Sequence, residues 1–380
     1  MGIIRYLLSA SCKQAVWTSK RRGEFGFTLL ELLVSIILAT LVITPLLGFM
    51  IDILQTDRRE QSKTATEQEL RTAAEYIARD LSEAVYIYDD EGLAAITGNY
   101  AETTCTGSAC DSSITGPSNL PSRNLPGFDG SVPVLVFWKR AYLSKNRELL
   151  GRVADPNNND GFVYSLVAYY LINNADALWS NSSRIARFEV KGPLRDASGS
   201  TIILPEQAGY EPLDFNLGAL QDVMRGWHKS ETTNYNFAAT STPLTVLVDY
   251  IDLSNSTVPT SALFSSDLSA SIERCPNEDL NRNGVIDGAE TDANGNGVAD
   301  IWTQVPDYDA LPATYNALKT HGFYACVKAS EPGQNNIARV FLRGNALARL
   351  GNNNDIPVYK DGVANYFPRV RIEVKGNGNL

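Results

Sequence analysis

Residues 27–51 read FTLLELLVSIILATLVITPLLGFMI, and Glu31 is the only charged side chain among them. From Leu32 to Ile51 the run is uncharged. A helix of that length covers about 30 Å, the thickness of a bilayer's hydrocarbon core. Arg5, Lys13, Lys20, Arg21 and Arg22 precede it with Glu24 as the single acid, and Asp52 restores charge after it. A basic flank before the span and an acidic chain after it predict one pass through the inner membrane. The amino terminus would be cytoplasmic and the remainder periplasmic. A cleaved secretory signal fits less well. Its apolar region is shorter, and a small-x-small cleavage site should follow, which Gly48-Phe49-Met50-Ile51 does not offer.

Glu31 asks for an explanation, because a carboxylate inside a spanning helix costs about 2.5–3.5 kcal/mol on insertion scales. It either reaches for the interface or has a partner. The phrase Arg21-Arg22-Gly23-Glu24-Phe25-Gly26, followed by Phe27-Thr28-Leu29-Leu30-Glu31, resembles the prepilin signal of type IV pilins and pseudopilins. That resemblance implies cleavage by prepilin peptidase after Gly26 and N-methylation of Phe27, the first mature residue. It implies that Glu31, fifth in the mature chain, meets the terminal amine of a neighbouring subunit, so that opposite charges neutralise within an apolar filament core. Pro45 lies a few residues earlier than the kinking proline of pilins. It should still remove one backbone hydrogen bond and bend the helix.

Residues 55–69 are polar on every side, as in a solvent-bridging helix. An apolar stripe then appears at helical spacing: Leu70, Ala74, Ile77, Leu81, Ala84, Val85 and Tyr88. The seam is too short for a free coiled coil. The spacing predicts one helix over 27–88, with 27–52 in the membrane or filament core and 53–88 continuing as stalk and docking onto a head. The head, 89–380, opens with a Gly-, Ser-, Thr- and Pro-rich loop over 91–131. Runs rich in β-branched and aromatic residues predict strands over 132–143, 162–172, 185–190, 244–251, 322–327, 338–342 and 366–374, with a short helix over 215–227. The expected fold class is α+β: a lollipop in which a long amino-terminal helix packs on an antiparallel sheet carrying large loop insertions.

Cys12 falls before the cleavage point. Cys105, Cys110, Cys275 and Cys326 make an even set in an exported segment, so two disulfides are expected. Nearness in sequence pairs Cys105 with Cys110 and leaves Cys275 with Cys326, a long loop worth ~4 kcal/mol on the chain-entropy account. Zinc is disfavoured, since no Cys-x-x-Cys pair occurs. Between Cys275 and Cys326 lies a stretch that fills the positions of an EF-hand calcium loop. Asp279, Asn281 and Asn283 supply oxygens at 1, 3 and 5, Gly284 sits at 6 and Val285 offers a carbonyl at 7. Asp287 stands at 9 and Glu290 at 12. A second array holds Asp292, Asn294, Asn296, Val298 and Asp300, but Thr303 stands where the bidentate Glu should be. Pro276 precedes the first loop and the second follows at once, which leaves no room for flanking helices. The pair over 279–303 resembles the helix-poor calcium loops of dockerins and thrombospondin type 3 repeats. Ca2+ is therefore expected, with weak affinity near 10⁻⁴ M on the order of extracellular modules. An Asx-turn-rich surface loop is the other reading.

The chain has 380 residues and a net charge of −10. Removal of the first 26 leaves 354 residues with 28 basic against 42 acidic. Nucleic acid is therefore not an expected partner, because a phosphate backbone calls for a basic footprint. His228 and His321 stand in no catalytic pattern, and no nucleotide-binding or nucleophile-elbow motif occurs. Nothing positive points to an enzyme. Such a large head suits a low-copy minor pilin or pseudopilin. The phrases EYIARDLSEAVYIY (75–88), VLVFWK (134–139), GFYACV (322–327) and RVFLRGNALAR (339–349) are similar to the cyanobacterial hormogonium polysaccharide secretion pseudopilins. That resemblance implies a part in polysaccharide export and gliding, with other pilins as partners and a polysaccharide or surface as a candidate ligand. A tip-located, calcium-stabilised adhesin of a pilus or type II secretion system is the alternative.

Overall fold

The computed structural model describes residues 28–97, 124–126, 130–143, 161–176, 178–195, 202–204, 207–214, 220–230, 244–254, 275, 302–306, 318–328, 337–351 and 356–377. The chain divides into two compact units, residues 1–56 and 57–380. Helix α1, Leu29–Ser82, runs through the boundary. It continues past Pro45.

In the second unit, α1 buries Ser62, Thr66, Leu70, Ala73, Ala74, Ile77, Asp80 and Leu81. These recur three or four residues apart and so fall on one face. The apolar stripe from Leu70 to Leu81 is as expected, but the helix stops earlier than its spacing suggested. Ser82 Oγ donates to the Arg79 carbonyl at 2.7 Å. The chain then enters strand β1, Ala84–Ile87, where every residue is buried. The expected helix over 53–88 is thus corrected to end at Ser82. Ala84, Val85 and Tyr88 continue the helical spacing by coincidence, whereas a short β-branched and aromatic run buried on both faces is a strand.

The 91–131 loop is corrected too. Asp89 caps a helix α2, Asp90–Thr97, through a 2.8 Å bond from the Gly92 amide to Asp89 Oδ1. Strands β2 (Ser131–Leu143), β3 (Gly161–Ile172), β4 (Ser183–Lys191) and β7 (Thr245–Ile251) form an antiparallel sheet with β1, in the order β1-β2-β3-β4-β7. Between β4 and β7 come a short hairpin, β5 (Leu194–Arg195) with β6 (Ile202–Leu204), and helix α3 (Leu220–Arg225). A second antiparallel sheet has the order β11-β10-β9-β8, from β8 (Trp302–Val305), β9 (Phe323–Lys328), β10 (Ile337–Arg343) and β11 (Arg369–Lys375). A 3-10 turn, Asp361–Tyr366, leads into β11. The strand over 366–374 therefore begins later than read, and β8, β5 and β6 were not anticipated.

Both faces of the first sheet are covered. Leu135, Phe137 and Lys139 on β2 share a face with Ser165, Val167 and Tyr169 on β3 and with Arg187 and Glu189 on β4. That face receives α1, since Tyr169 and Arg187 both bond Asp80. The opposite face carries Trp138, whose ring meets Trp227 edge-on at 5.2 Å and Tyr210 at 6.1 Å. Further along α1, Gly344 lies so close that a Cβ there would stand 2.5 Å from Thr66 Cγ2 and 3.0 Å from Leu70 Cδ1. Ser62 Oγ donates to the Ala346 carbonyl at 2.5 Å. The polar stretch 55–69 therefore docks after all, through small residues that let two backbones approach.

Candidate functional site: the amino-terminal helix and its anchorage in the head

Thr28 is the first described residue, and its Oγ1 accepts from the Glu31 amide at 3.3 Å, an N-cap that fixes where α1 begins. Gly26 and Phe27 lie outside the described residues. Through Leu54 the apolar side chains of α1 are exposed, from Leu29 at 83% to Leu54 at 47%. Such an apolar surface is stable in lipid or against other helices, not in water. This helix is long and apolar enough to cross a membrane, which suggests membrane anchoring.

The hydroxyls within the run do not ask for water. Ser35 Oγ donates to the Glu31 carbonyl at 2.7 Å, Thr40 Oγ1 to the Ile37 carbonyl at 2.9 Å and Thr44 Oγ1 to the Thr40 carbonyl at 2.8 Å. Each polar group is satisfied inside the helix, as a hydrocarbon environment requires. Glu31 is the exception. Among the described residues no ion pair involves it.

In the second unit the end of α1 is held by a buried charge cluster. Asp80 Oδ2 accepts from Arg187 Nε at 2.6 Å and from Tyr169 Oη at 2.8 Å, while Oδ1 accepts from Lys139 Nζ at 3.0 Å. Glu189 completes the group, accepting from Arg187 at 2.9 Å and lying 3.7 Å from Lys139. One helical carboxylate thus bonds three adjacent strands. Burial alone would raise the Asp80 carboxyl, but the guanidinium of Arg187 and the ammonium of Lys139 outweigh it and hold the carboxyl below its usual value. Glu189 is likewise lowered, burial again being overcome by Arg187 and Lys139. Burial would depress Lys139, yet Glu189 and Asp80 raise it. Burial and the neighbouring Asp80 push the Tyr169 phenol upward, so it stays a donor. The sequence reading missed this cluster. Its one signal was Asp80 itself, an acid inside the apolar stripe between Ile77 and Leu81.

A second buried pair secures the other sheet. Arg343 Nε donates to Asp252 Oδ2 at 2.6 Å, and Asp252 Oδ1 accepts from the Ser254 amide at 3.0 Å. Arg349 bonds Glu69 of α1 and lies over the Tyr250 ring at 4.4 Å. Tyr250 itself has a φ of 59°, unusual for a residue with a bulky side chain.

Cys275 and Cys326 are bonded, with Cα atoms 5.3 Å apart. Cys105 and Cys110 lie outside the described residues, as do both calcium-type arrays from Asp279 to Asp300. Thr303, placed at the end of the 279–303 loop, is in β8 opposite Val327. Among the described residues, no group of three or more His, Cys, Asp or Glu side chains is gathered to hold a metal ion. His228 is exposed. His321 is buried, its ring edge-on to Tyr324 at 5.9 Å.

An apolar amino-terminal helix whose later turns pack on antiparallel sheets is a pilin-like α+β architecture. Residues 21–47 match the family described as the prokaryotic N-terminal methylation motif. The match takes in Arg21 and Arg22 of the basic flank with Gly26, Phe27, Glu31 and Pro45, and supports a type IV pilin-like protein. The motif is that of structural subunits processed by prepilin peptidase and assembled with other pilins. Comparison with the curated proteins and with the solved structures gives no match.

Proposed function

We propose that this chain is a minor pilin or pseudopilin of a type IV pilus-like filament, working in polysaccharide export and gliding as an HpsC-type hormogonium polysaccharide secretion subunit. Prepilin peptidase cuts after Gly26, Phe27 is N-methylated, and Glu31 pairs with the terminal amine of a neighbouring subunit as the helix leaves the inner membrane for the filament. The observation that carries the reading is the methylation motif over 21–47 running directly into a helix whose first turns expose an apolar surface and the acid Glu31, which has no ion pair among the described residues. Amino-terminal sequencing and mass analysis of membrane-extracted protein should begin at methylated Phe27; any other terminus overturns the processing step. Glu31→Val is still cut but enters filaments at a small fraction of the wild-type level, and normal incorporation removes the charge-pairing account. Deletion of the chain should abolish polysaccharide export; unchanged export rejects that role.

A second reading, a calcium-stabilised adhesin near a filament tip, is favoured by one observation. The Cys275–Cys326 bond and the pairing of Trp302 with Lys328 hold both ends of the acidic stretch on β9. Asp279, Asn281, Asn283, Val285, Asp287 and Glu290 would bind one Ca2+, and Asp292, Asn294, Asn296, Val298 and Asp300 a second. Millimolar calcium should raise the melting temperature of the full chain in detergent, and Asp279→Ala should remove most of that rise. An equal rise in the variant rejects the first loop as the site.

A further inference from the structure

Of the four tryptophans among the described residues, three have a task in the fold. Trp138 Nε1 donates to Tyr88 Oη at 3.0 Å, and Trp227 Nε1 donates to the Glu211 carbonyl at 2.7 Å. Trp302 packs on the Tyr324, Cys326 and Phe341 cluster, under the Arg339 guanidinium. Trp179 does none of this. It is half-buried, belongs to neither buried cluster, and among the described residues has no hydrogen bond and no ring contact. Leu178 beside it is 80% exposed, more than any other large apolar side chain described after the amino-terminal run. Both lie in the ten residues 173–182 between β3 and β4, six of which are Asn, Asp or Ser. The loop is tied down at both ends. The Asn173 amide donates to the Gly130 carbonyl at 2.7 Å, Ser180 bonds Asp249 of β7 through its amide at 2.9 Å and its hydroxyl at 2.7 Å, and Ser182 Oγ donates to the Ile251 carbonyl at 2.7 Å. At the tip, Asp176 Oδ1 accepts from the Leu178 amide at 2.9 Å. Arg184, in β4 and only 4% exposed, bonds Asn174 Oδ1 and stands 3.8 Å from Asp176 Oδ2. The other amino group of that guanidinium, Nη1, is buried and has no acceptor.

We propose that this tip is a sugar-binding subsite, in which Trp179 and Leu178 cover the C–H face of a pyranose ring while Asp176 and Asn174 bond its hydroxyls. The inference deepens the polysaccharide reading above and rests on it. A pyranose has an apolar face and a rim of hydroxyls that both donate and accept. Indole offers a flat apolar area with one N–H donor at its edge. Arg184 can only donate, so Asn174 meets it with its oxygen and keeps the two donors of Nδ2. Asp176 keeps acceptor sites on Oδ2. The tip thus presents donors and acceptors beside an apolar pair, the combination that a sugar rim requires. An unmet buried donor such as Arg184 Nη1 costs free energy, and a hydroxyl settling beside Asp176 relieves it. The bonds to Gly130, Asp249 and Ile251 hold the loop before any ligand arrives, so binding orders little of it. A protein partner fits less well. Apolar anchors between proteins work inside a fully desolvated patch, whereas Leu178 and Trp179 are flanked by Asn, Asp and Ser on both sides in the chain.

The test is affinity electrophoresis of the full chain in non-ionic detergent through gels containing hydroxyethylcellulose, dextran or polygalacturonate, against a gel with no glycan. Retardation by at least one of the three is expected, and it should persist as salt is raised, since stacking and hydroxyl bonds are not screened as ion pairs are. The gel that retards the chain identifies its class of sugar: β-linked, α-linked or uronic. Trp179→Ala should lose about tenfold in affinity while melting at the wild-type temperature, and Trp179→Phe, which keeps a flat ring, should retain most of it. Asp176→Asn, which keeps the shape and the bond to Leu178 but not the charge, should lose about fivefold. No retardation in any gel, retardation that vanishes with salt, or unchanged binding in Trp179→Ala each overturns the proposal. If Trp179→Ala fails to fold, unchanged binding in Asp176→Asn overturns it alone. A chain that no glycan retards, but that dimerises in sedimentation and loses the dimer in Trp179→Ala, also overturns it and assigns the tip to a second copy. These results are read on purified protein and leave the outcome of the export-deletion experiment unaltered, so the two readings fail separately.

Discussion

Asp80 concentrates in one side chain the attachment of α1 to the first sheet. Its two oxygens accept from β2, β3 and β4 together, so removing it strands Lys139 and Arg187 as buried charges short of a partner. Breaking a buried pair in this way costs about 3–5 kcal/mol. Asp80→Ala should therefore lower stability by about that amount in a denaturant titration of the detergent-solubilised chain. A loss below about 1 kcal/mol would mean that Glu189, with Glu83 3.5 Å from Lys139, neutralises the two cations. Replacement of the whole group by apolar residues is a different experiment, since well-packed substitutes can equal a buried ion pair.

At the scale of the element, α1 shows where a sequence pattern is informative and where it misleads. The membrane-length run, the stripe from Leu70 to Leu81 and seven of the strands were legible because apolar periodicity survives without tertiary knowledge. The helix end at Ser82 was not, because Ala84, Val85 and Tyr88 happen to continue a spacing of three to four. Docking through Ser62 and Thr66 was hidden for another reason: small polar residues are buried by the close approach of Gly344, which lies 282 residues beyond Ser62 in the chain. α1 also has a predictable acid response. Asp80 and Glu189 have carboxyls held below their ordinary values of 3.8 and 4.5. Depressed carboxyls contribute stability that is complete at neutral pH and is lost as pH falls through their folded values. Stability should be flat from pH 7 to 5 on this account and fall below about pH 4. In Asp80→Asn that acid-dependent loss should shrink, as read by thermal melts across the series; an identical pH profile would place the acid sensitivity elsewhere.

For the molecule as a whole, the motif over 21–47 and the α+β head define a pilin-like subunit, while the sequence distributes charge unevenly along it. The first 26 residues carry five bases and one acid, the span carries Glu31 alone, and the stalk and head carry the remaining acidity. The average net charge of −10 describes none of these parts. Within the head the sequence did disclose the Cys275–Cys326 pairing, because the four cysteines that follow the span leave few ways to pair. It did not disclose the tip at Leu178 and Trp179, since NNADALWSNS (173–182) reads only as a polar turn until the partners of the other tryptophans are known. The disulfide has a consequence for any protease the head encounters. A single cut anywhere between the two cysteines, which stand 51 positions apart in sequence, severs the backbone without releasing either piece. A nicked chain should run as one species on a non-reducing gel and as two after dithiothreitol. Cys326→Ser should release the fragments without reductant.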